Sequence, residues 1–294
     1  MINLQPLFDE PILEQKPFDP GYSGHASHVI YVRTASEEAV ARACRYAEVG
    51  GAFWTGCLRM FGINPVQTHE LEKLNRRLNT YSPLRVPQVL RKAVLDDREW
   101  VVVEYMPGHD LTTFCGQPTS LLEEFGAALA QFHRQRYAHH GCLTNGFKRP
   151  LAEFHTDMVA TMRELVAQFH SNNAAITAAL EPMCEAALAL PAPEYAAPVM
   201  VDLDPRQFLT DGQRVTAIVD TEGYVAAPRA LDFIALEYVM DAPTAEAFKR
   251  GYSAYLSLPD LTARRPVYRY FYRLLEVQGG EVPLDVWLNW PALF

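Results

Sequence analysis

The chain reads as a two-lobed α+β fold. Strand-forming runs dominate residues 1–106, helix-forming runs dominate residues 107–294, and Pro107-Gly108 punctuates the change. At 294 residues, 49% hydrophobic and 21% charged, the sequence can bury a sizeable core without metal or disulfide staples.

The first lobe is expected to open with a hairpin. Its strands are 28–34 (HVIYVRT) and 39–46, joined by the polar turn 35–38. An irregular stretch runs from Gly50-Gly51 to Pro65. Leu71, Leu74 and Leu78 then recur at helical spacing, which predicts an amphipathic helix over 68–79 with Thr68 as its N-cap. Strands 88–95 and 100–106 follow around an Asp96-Asp97 turn. In the second lobe, helices are expected over 120–136, 151–170, 173–189, 244–256 and 263–278. A β-rich island at 198–219 turns at Asp211-Gly212.

Charge and cysteine usage exclude several classes. A net charge of −9 and a pI near 5.5 oppose nucleic-acid binding, which needs cations for phosphates. Residues 1–106 hold 13 acidic and 12 basic side chains and 107–294 hold 22 and 14, so the acidic excess lies in the second lobe. The five cysteines (Cys44, Cys57, Cys115, Cys142, Cys184) are odd in number and form no CxxC, as in a reduced cytoplasmic protein. The first residues lack a basic region before an apolar core, and no apolar run approaches the roughly 18 residues of a membrane span. The ratio of 21 Arg to 5 Lys suggests a GC-rich bacterial genome.

The chemistry concentrates in 199–232. Asp202 follows the apolar run 198–201, Gln207 lies five residues on, and Asp220 follows the apolar run 215–219. A hairpin folding the two runs together would gather all three around one cavity. Hard oxygen ligands there suit Mg²⁺, and a spare carboxylate beside them can orient a hydroxyl and accept its proton.

This pattern resembles the aminoglycoside phosphotransferase and choline kinase-like family of small-molecule kinases, whose fold is protein-kinase-like. The family motif H-G-D-x-x-x-x-N is matched by Met200-Val201-Asp202 through Gln207, I-D-x-E by Ile218-Val219-Asp220-Thr221-Glu222, and D-L by Leu231-Asp232. The resemblance implies Asp202 as the catalytic carboxylate and Gln207 and Asp220 as the Mg²⁺ ligands. It extends along the chain, with residues 1–106 as nucleotide-binding lobe and 107–294 as helical lobe carrying the catalytic loop and acceptor site. Gly21 and Gly24 fall in the nucleotide-covering loop. Arg42 takes the place of the phosphate-clamping cation, with Arg45 as a competitor, and Glu70 that of its helix partner. Glu104 and Met106 fall in the hinge that meets the purine.

The implied activity is ATP-dependent transfer to a hydroxyl of a neutral or cationic small molecule (amino sugar, sugar or amino alcohol), with GTP as a possible donor. Nucleic acid and membrane are not expected partners. The replaced His-Gly, here Met200-Val201, keeps open the alternative of a pseudokinase that binds nucleotide without efficient turnover. Other residues read as structural: Asp204 as a turn cap, Asp232 as a brace for the catalytic loop, His133 as a satisfied buried ring, and His139-His140 as loop histidines. The aromatic residues Trp287, Trp290 and Phe294 read as core, with an acceptor-pocket lining as the alternative.

Overall fold

The computed structural model describes residues 2–18, 26–144, 146–278 and 281–294. Gly21 and Gly24 lie outside the described residues.

The first half builds a five-stranded antiparallel sheet in the order β1-β2-β3-β5-β4. Its strands are β1 (Glu14–Pro17), β2 (Ser27–Arg33), β3 (Glu38–Cys44), β4 (Val89–Leu95) and β5 (Arg98–Glu104). The β4–β5 turn is tight because Asp96 and Asp97 both take positive φ (50° and 56°), matching the twist of a two-residue hairpin. One sheet face, with Ile30, Val32, Ala39, Ala41, Ala43, Trp100 and Val102, is sealed by Leu4, Leu7 and Phe8. Val101 and Val103 on the other face join the main core.

Two helices interrupt the sheet, α1 (Gly51–Phe61) and α2 (Leu71–Asn79). Helix α1 replaces the expected irregular stretch. Its apolar side chains follow no clean polar alternation because Ala52, Cys57, Met60 and Phe61 are all buried. Thr68 lies in a short 3₁₀ turn (Thr68–Glu70) and does not cap α2; its hydroxyl accepts from the Cys44 N–H at 3.4 Å.

The second half begins with β6 (His109–Asp110) and α3 (Thr119–His133). Then come β7 (His139–Cys142), β8 (Lys148–Pro150), α4 (Phe154–Leu165), α5 (Ala174–Ala189), β9 (Ala197–Met200), β10 (Phe208–Thr210), β11 (Val215–Ile218) and β12 (Tyr224–Ala227). Helices α6 (Ala230–Val239), α7 (Ala242–Ser253), α8 (Arg265–Leu274) and α9 (Leu284–Leu288) finish the chain. The strands form one four-stranded sheet, β8-β7-β12-β9, and one three-stranded sheet, β11-β10-β6. His139 and His140 therefore lie on β7 and not in a loop, and His140 bonds Asp157 at 3.1 Å. Although α1 precedes residue 106, it packs on the second half: Arg59 pairs with Glu164 at 3.3 Å, and a Cβ on Gly56 would meet Leu275 and Leu165.

Helices α3 and α7 meet backbone to backbone. A Cβ on Gly251 would lie 1.8 Å from the Glu123 carbonyl oxygen, and one on Gly126 would lie 2.2 Å from that of Phe248. Neither obstacle is a side chain that can rotate away. Gly251→Ala should destabilise the fold by about 1–3 kcal/mol or more through forced helix separation. Urea unfolding with an unchanged midpoint would refute this packing.

Candidate active site

Asp202 and Asp220 reach the same place by a route other than the expected hairpin. β9, which leads to Asp202, pairs with β12, and β11, which leads to Asp220, pairs with β10. The two apolar runs are therefore not partners. The loop ends are instead tied crosswise, by Val201 N–H to the Gly223 carbonyl (3.1 Å) and Val219 N–H to the Gln207 carbonyl (2.8 Å).

The turn after Asp202 is held by a reciprocal cap. Asp204 Oδ1 accepts the Arg206 N–H at 2.9 Å, and Gln207 Oε1 accepts the Asp204 N–H at 2.8 Å. Asp204 is thus the cap that its sequence context predicts. Gln207 is buried, and one lone pair of the amide oxygen expected on a metal is engaged in the loop, leaving the other.

Asp220 sits in the left-handed region (φ 59°, ψ 56°), a conformation that costs a non-glycine residue about 1–3 kcal/mol and needs support from its surroundings. Its carboxylate meets Arg42. Arg42 Nη2 is 2.5 Å from Asp220 Oδ1 and 2.8 Å from Glu222 Oε1. Burial works against the Arg42 charge, but Glu222, Asp220 and Asp202 outweigh it and hold the guanidinium protonated. Arg42 is the cation that meets Asp220 and Glu222, and Arg45 is exposed.

Glu70 does not pair with Arg42 as expected. It bonds Lys73 at 2.6 Å, three residues along its own turn, while Arg42 takes its partners from the Asp220 loop. Glu222 is the residue that sequence reasoning passed over, although it stands in the I-D-x-E motif. Burial pushes its carboxyl up to about 8 against the pull of Arg42, whereas Asp220 is held below the usual carboxylate range by Arg42 and by the hydrogen bond from Glu222.

Asp202 faces this cluster. Burial first, then the Asp220 charge, push its carboxyl up to about 7, with a Gln207 hydrogen bond pulling the other way. Its Oδ1 is buried without a hydrogen-bond partner. A Cβ on Gly223 would lie 2.1 Å from that oxygen, so a larger residue there would push the Asp202 carboxyl aside. In sequence, Gly223 ends the run Asp220-Thr221-Glu222-Gly223.

The strand behind Asp202 is braced from the core. Met200 N–H donates to Asp232 Oδ1 (3.0 Å), Asp232 Oδ2 meets His133 Nε2 (2.9 Å), His133 Nδ1 meets the Tyr252 hydroxyl (2.9 Å), and Arg229 donates to that hydroxyl (2.8 Å). The donors close only if His133 is neutral with its proton on Nε2, and burial does lower its pKa. Asp232 and His133 are thus structural, as their sequence context predicts. Met200 replaces a histidine in the motif and is packed in the apolar core.

At the hinge, Glu104 pairs with Arg85 (2.5 Å), and buried Met106 packs with Leu209 and Ala217. A cavity of about 690 Å³ flanks Met106–Gly108, α3 and the β10–β11 turn but touches none of Asp202, Gln207 or Asp220. The site is therefore defined by its charged groups and not by that cavity.

The model of the phosphotransferase enzyme family matches residues 23–267. The chain belongs to this family. A search of curated proteins finds no matching relative. Solved structures of this phosphotransferase fold align along nearly the whole chain. A macrolide 2′-phosphotransferase from Brachybacterium faecium shares 15% identity over 95% of this chain and 93% of its own, with a TM-score of 0.56. The GDP and kanamycin complex of APH(2″)-IIIa shares 14% over 93% and 87%, with a TM-score of 0.62. A spectinomycin phosphotransferase bound to ADP and spectinomycin shares 11% over 94% and 84%, with a TM-score of 0.56. At these identities the likeness establishes the fold, which is protein-kinase-like.

Proposed function

We propose that this member of the phosphotransferase family moves the γ-phosphoryl group of ATP, or of GTP, to a hydroxyl of a small molecule. The observation that carries this reading is the convergence of Asp202, with its unpartnered oxygen, on the Arg42–Asp220–Glu222 cluster. Phosphoryl transfer asks mainly for positioning and charge neutralisation, which such a cluster supplies. Arg42 steadies the phosphates, Asp202 orients the acceptor hydroxyl and takes its proton, and the Glu104–Met106 backbone meets the purine. Residues 1–106 form the nucleotide lobe and 107–294 the acceptor lobe, with α1 lent to the latter.

The donor set fits Mg²⁺. Asp220 offers a half-exposed carboxylate, and Gln207 retains an amide lone pair. Among the described residues no group of three or more His, Cys, Asp or Glu is arranged to hold a metal. When bound, the ion neutralises phosphate charge.

The acidic excess of the second half favours a neutral or cationic acceptor such as an amino sugar, a sugar or an amino alcohol. The printed ligands of two relatives, kanamycin and spectinomycin, are acceptors to try first. Among the described residues no helix is long and apolar enough to cross a membrane, and the five cysteines are free, which suits the cytoplasm. A pseudokinase is the second reading, favoured by Met200-Val201 and by the engaged Gln207 oxygen.

Thermal unfolding with Mg²⁺ plus ATP or GTP tests the nucleotide site. At 100 times its dissociation constant a ligand adds about 2.7 kcal/mol, and Asp220→Ala should remove the Mg²⁺-dependent part. No shift with either nucleotide would refute the site. Binding without turnover of any hydroxyl acceptor would favour the pseudokinase.

A further inference from the structure

Thr221, the residue after Asp220, is fully buried and its hydroxyl donates to Asn75 Oδ1 at 2.5 Å. Asn75 lies on α2 and is also buried. Its Nδ2 donates to the Pro87 carbonyl at 2.8 Å. A carbonyl can only accept, so the amide nitrogen must face Pro87 and the amide oxygen must face Thr221. Both ends of the amide are used, one on the segment entering β4 and one on the Asp220 loop. One turn further along α2, Asn79 clips the same segment, donating to the Val86 carbonyl (2.8 Å) and accepting the Val86 N–H (3.2 Å).

This junction sits where the Asp220 backbone needs support. Asp220 is in the left-handed region, so its carboxylate points at Arg42 only while the flanking residues are pinned. Val219 is pinned on one side through the Gln207 carbonyl. Thr221 is pinned on the other through Asn75. Glu70, the residue expected to link this helical segment to Arg42, is engaged with Lys73. Among the described residues, the side-chain hydrogen bond from α2 to the Asp220 loop runs from Asn75 to Thr221.

We propose that Asn75 is a positioning residue for Asp220: by holding the Thr221 hydroxyl it fixes the turn that aims the carboxylate into the phosphate site. This rests on the reading of Asp220 as a ligand of nucleotide-bound Mg²⁺.

The test compares Thr221→Val, which keeps the shape and removes the donor, with Thr221→Ser, which keeps the donor. ATP affinity is measured by calorimetry with Mg²⁺ and with EDTA, and hydrogen exchange of residues 219–224 is measured in the ligand-free protein. Thr221→Val should lower affinity at least tenfold with Mg²⁺, stay within twofold of wild type in EDTA, and exchange faster over 219–224. Thr221→Ser should behave as wild type. Asn75→Ala should reproduce the Thr221→Val pattern and stands in if that variant does not fold. Wild-type Mg²⁺·ATP affinity in Thr221→Val with only a lower melting temperature would overturn the proposal. So would equal losses with and without Mg²⁺, or a serine variant that does not recover. Wild-type protein that fails to bind ATP with Mg²⁺ would refute the nucleotide reading itself, and the proposal with it.

Discussion

Asp202→Asn is expected to lower phosphoryl transfer by about 10²- to 10⁴-fold, the usual contribution of a positioned proton acceptor. Nucleotide binding should survive, because Arg42 and Asp220 remain. The loss should appear in kcat more than in the nucleotide KM. The same carboxyl predicts a pH dependence. Burial and the Asp220 charge raise it to about 7 in the free protein, and it must be ionised to take a proton. With nucleotide and acceptor both far below their KM, so that the free protein is the reacting form, the rate should therefore rise with pH through about 7 and flatten above, and Asp202→Asn should remove that limb. A variant that turns over acceptor at the wild-type rate would sink the catalytic assignment.

Glu237→Gln is expected to cost about 3–5 kcal/mol of stability, the range for breaking a buried ion pair on one side. Glu237 is fully buried. Its Oε2 is 2.6 Å from Arg269 Nη2, and its Oε1 is 3.1 Å from Arg265 Nε and accepts the Leu293 N–H at 3.0 Å. Arg269, 2% exposed, also donates to the carbonyls of Leu288, Trp290 and Pro291. Neutralising Glu237 would strand that guanidinium and loosen residues 288–294. Replacing Glu237 and Arg269 together by Met should cost less than Glu237→Gln alone, since the buried guanidinium goes with its partner and only the partly exposed Arg265 loses one. Denaturant unfolding checks both, and a Glu237→Gln midpoint equal to wild type would refute the latch.

Of the late aromatic residues Trp287, Trp290 and Phe294, this latch places Trp287 in the core. Trp287 is 1% exposed, stacks on Tyr238 at 3.8 Å and donates its indole N–H to the Arg269 carbonyl. It is core and does not line an acceptor pocket. Nothing local distinguished the two roles, because an aromatic side chain has the same sequence pattern in either.

Much of the fold was legible because it depends on near neighbours. The Leu71, Leu74, Leu78 spacing marks α2, the paired aspartates mark the β4–β5 turn, and apolar runs mark β9 and β11. The spacing of Asp202, Gln207, Asp220 and Asp232 was legible for the same reason, since each follows or begins a local element. Helix α1 was not, because it is buried against α4 and lost the polar alternation that reveals a surface helix.

By itself the sequence determined most element types, the acidic balance and the spacing of the candidate site residues Asp202, Gln207 and Asp220, all of which follow from local periodicity and residue type. Tertiary structure alone decided which groups meet. Arg42 finds Asp220 across 178 residues and leaves Glu70 to Lys73, and β9 takes β12 where a hairpin with β11 was expected. Charge attraction and strand pairing act through space, so their partners are set by the path of the backbone and carry no fixed spacing along the chain.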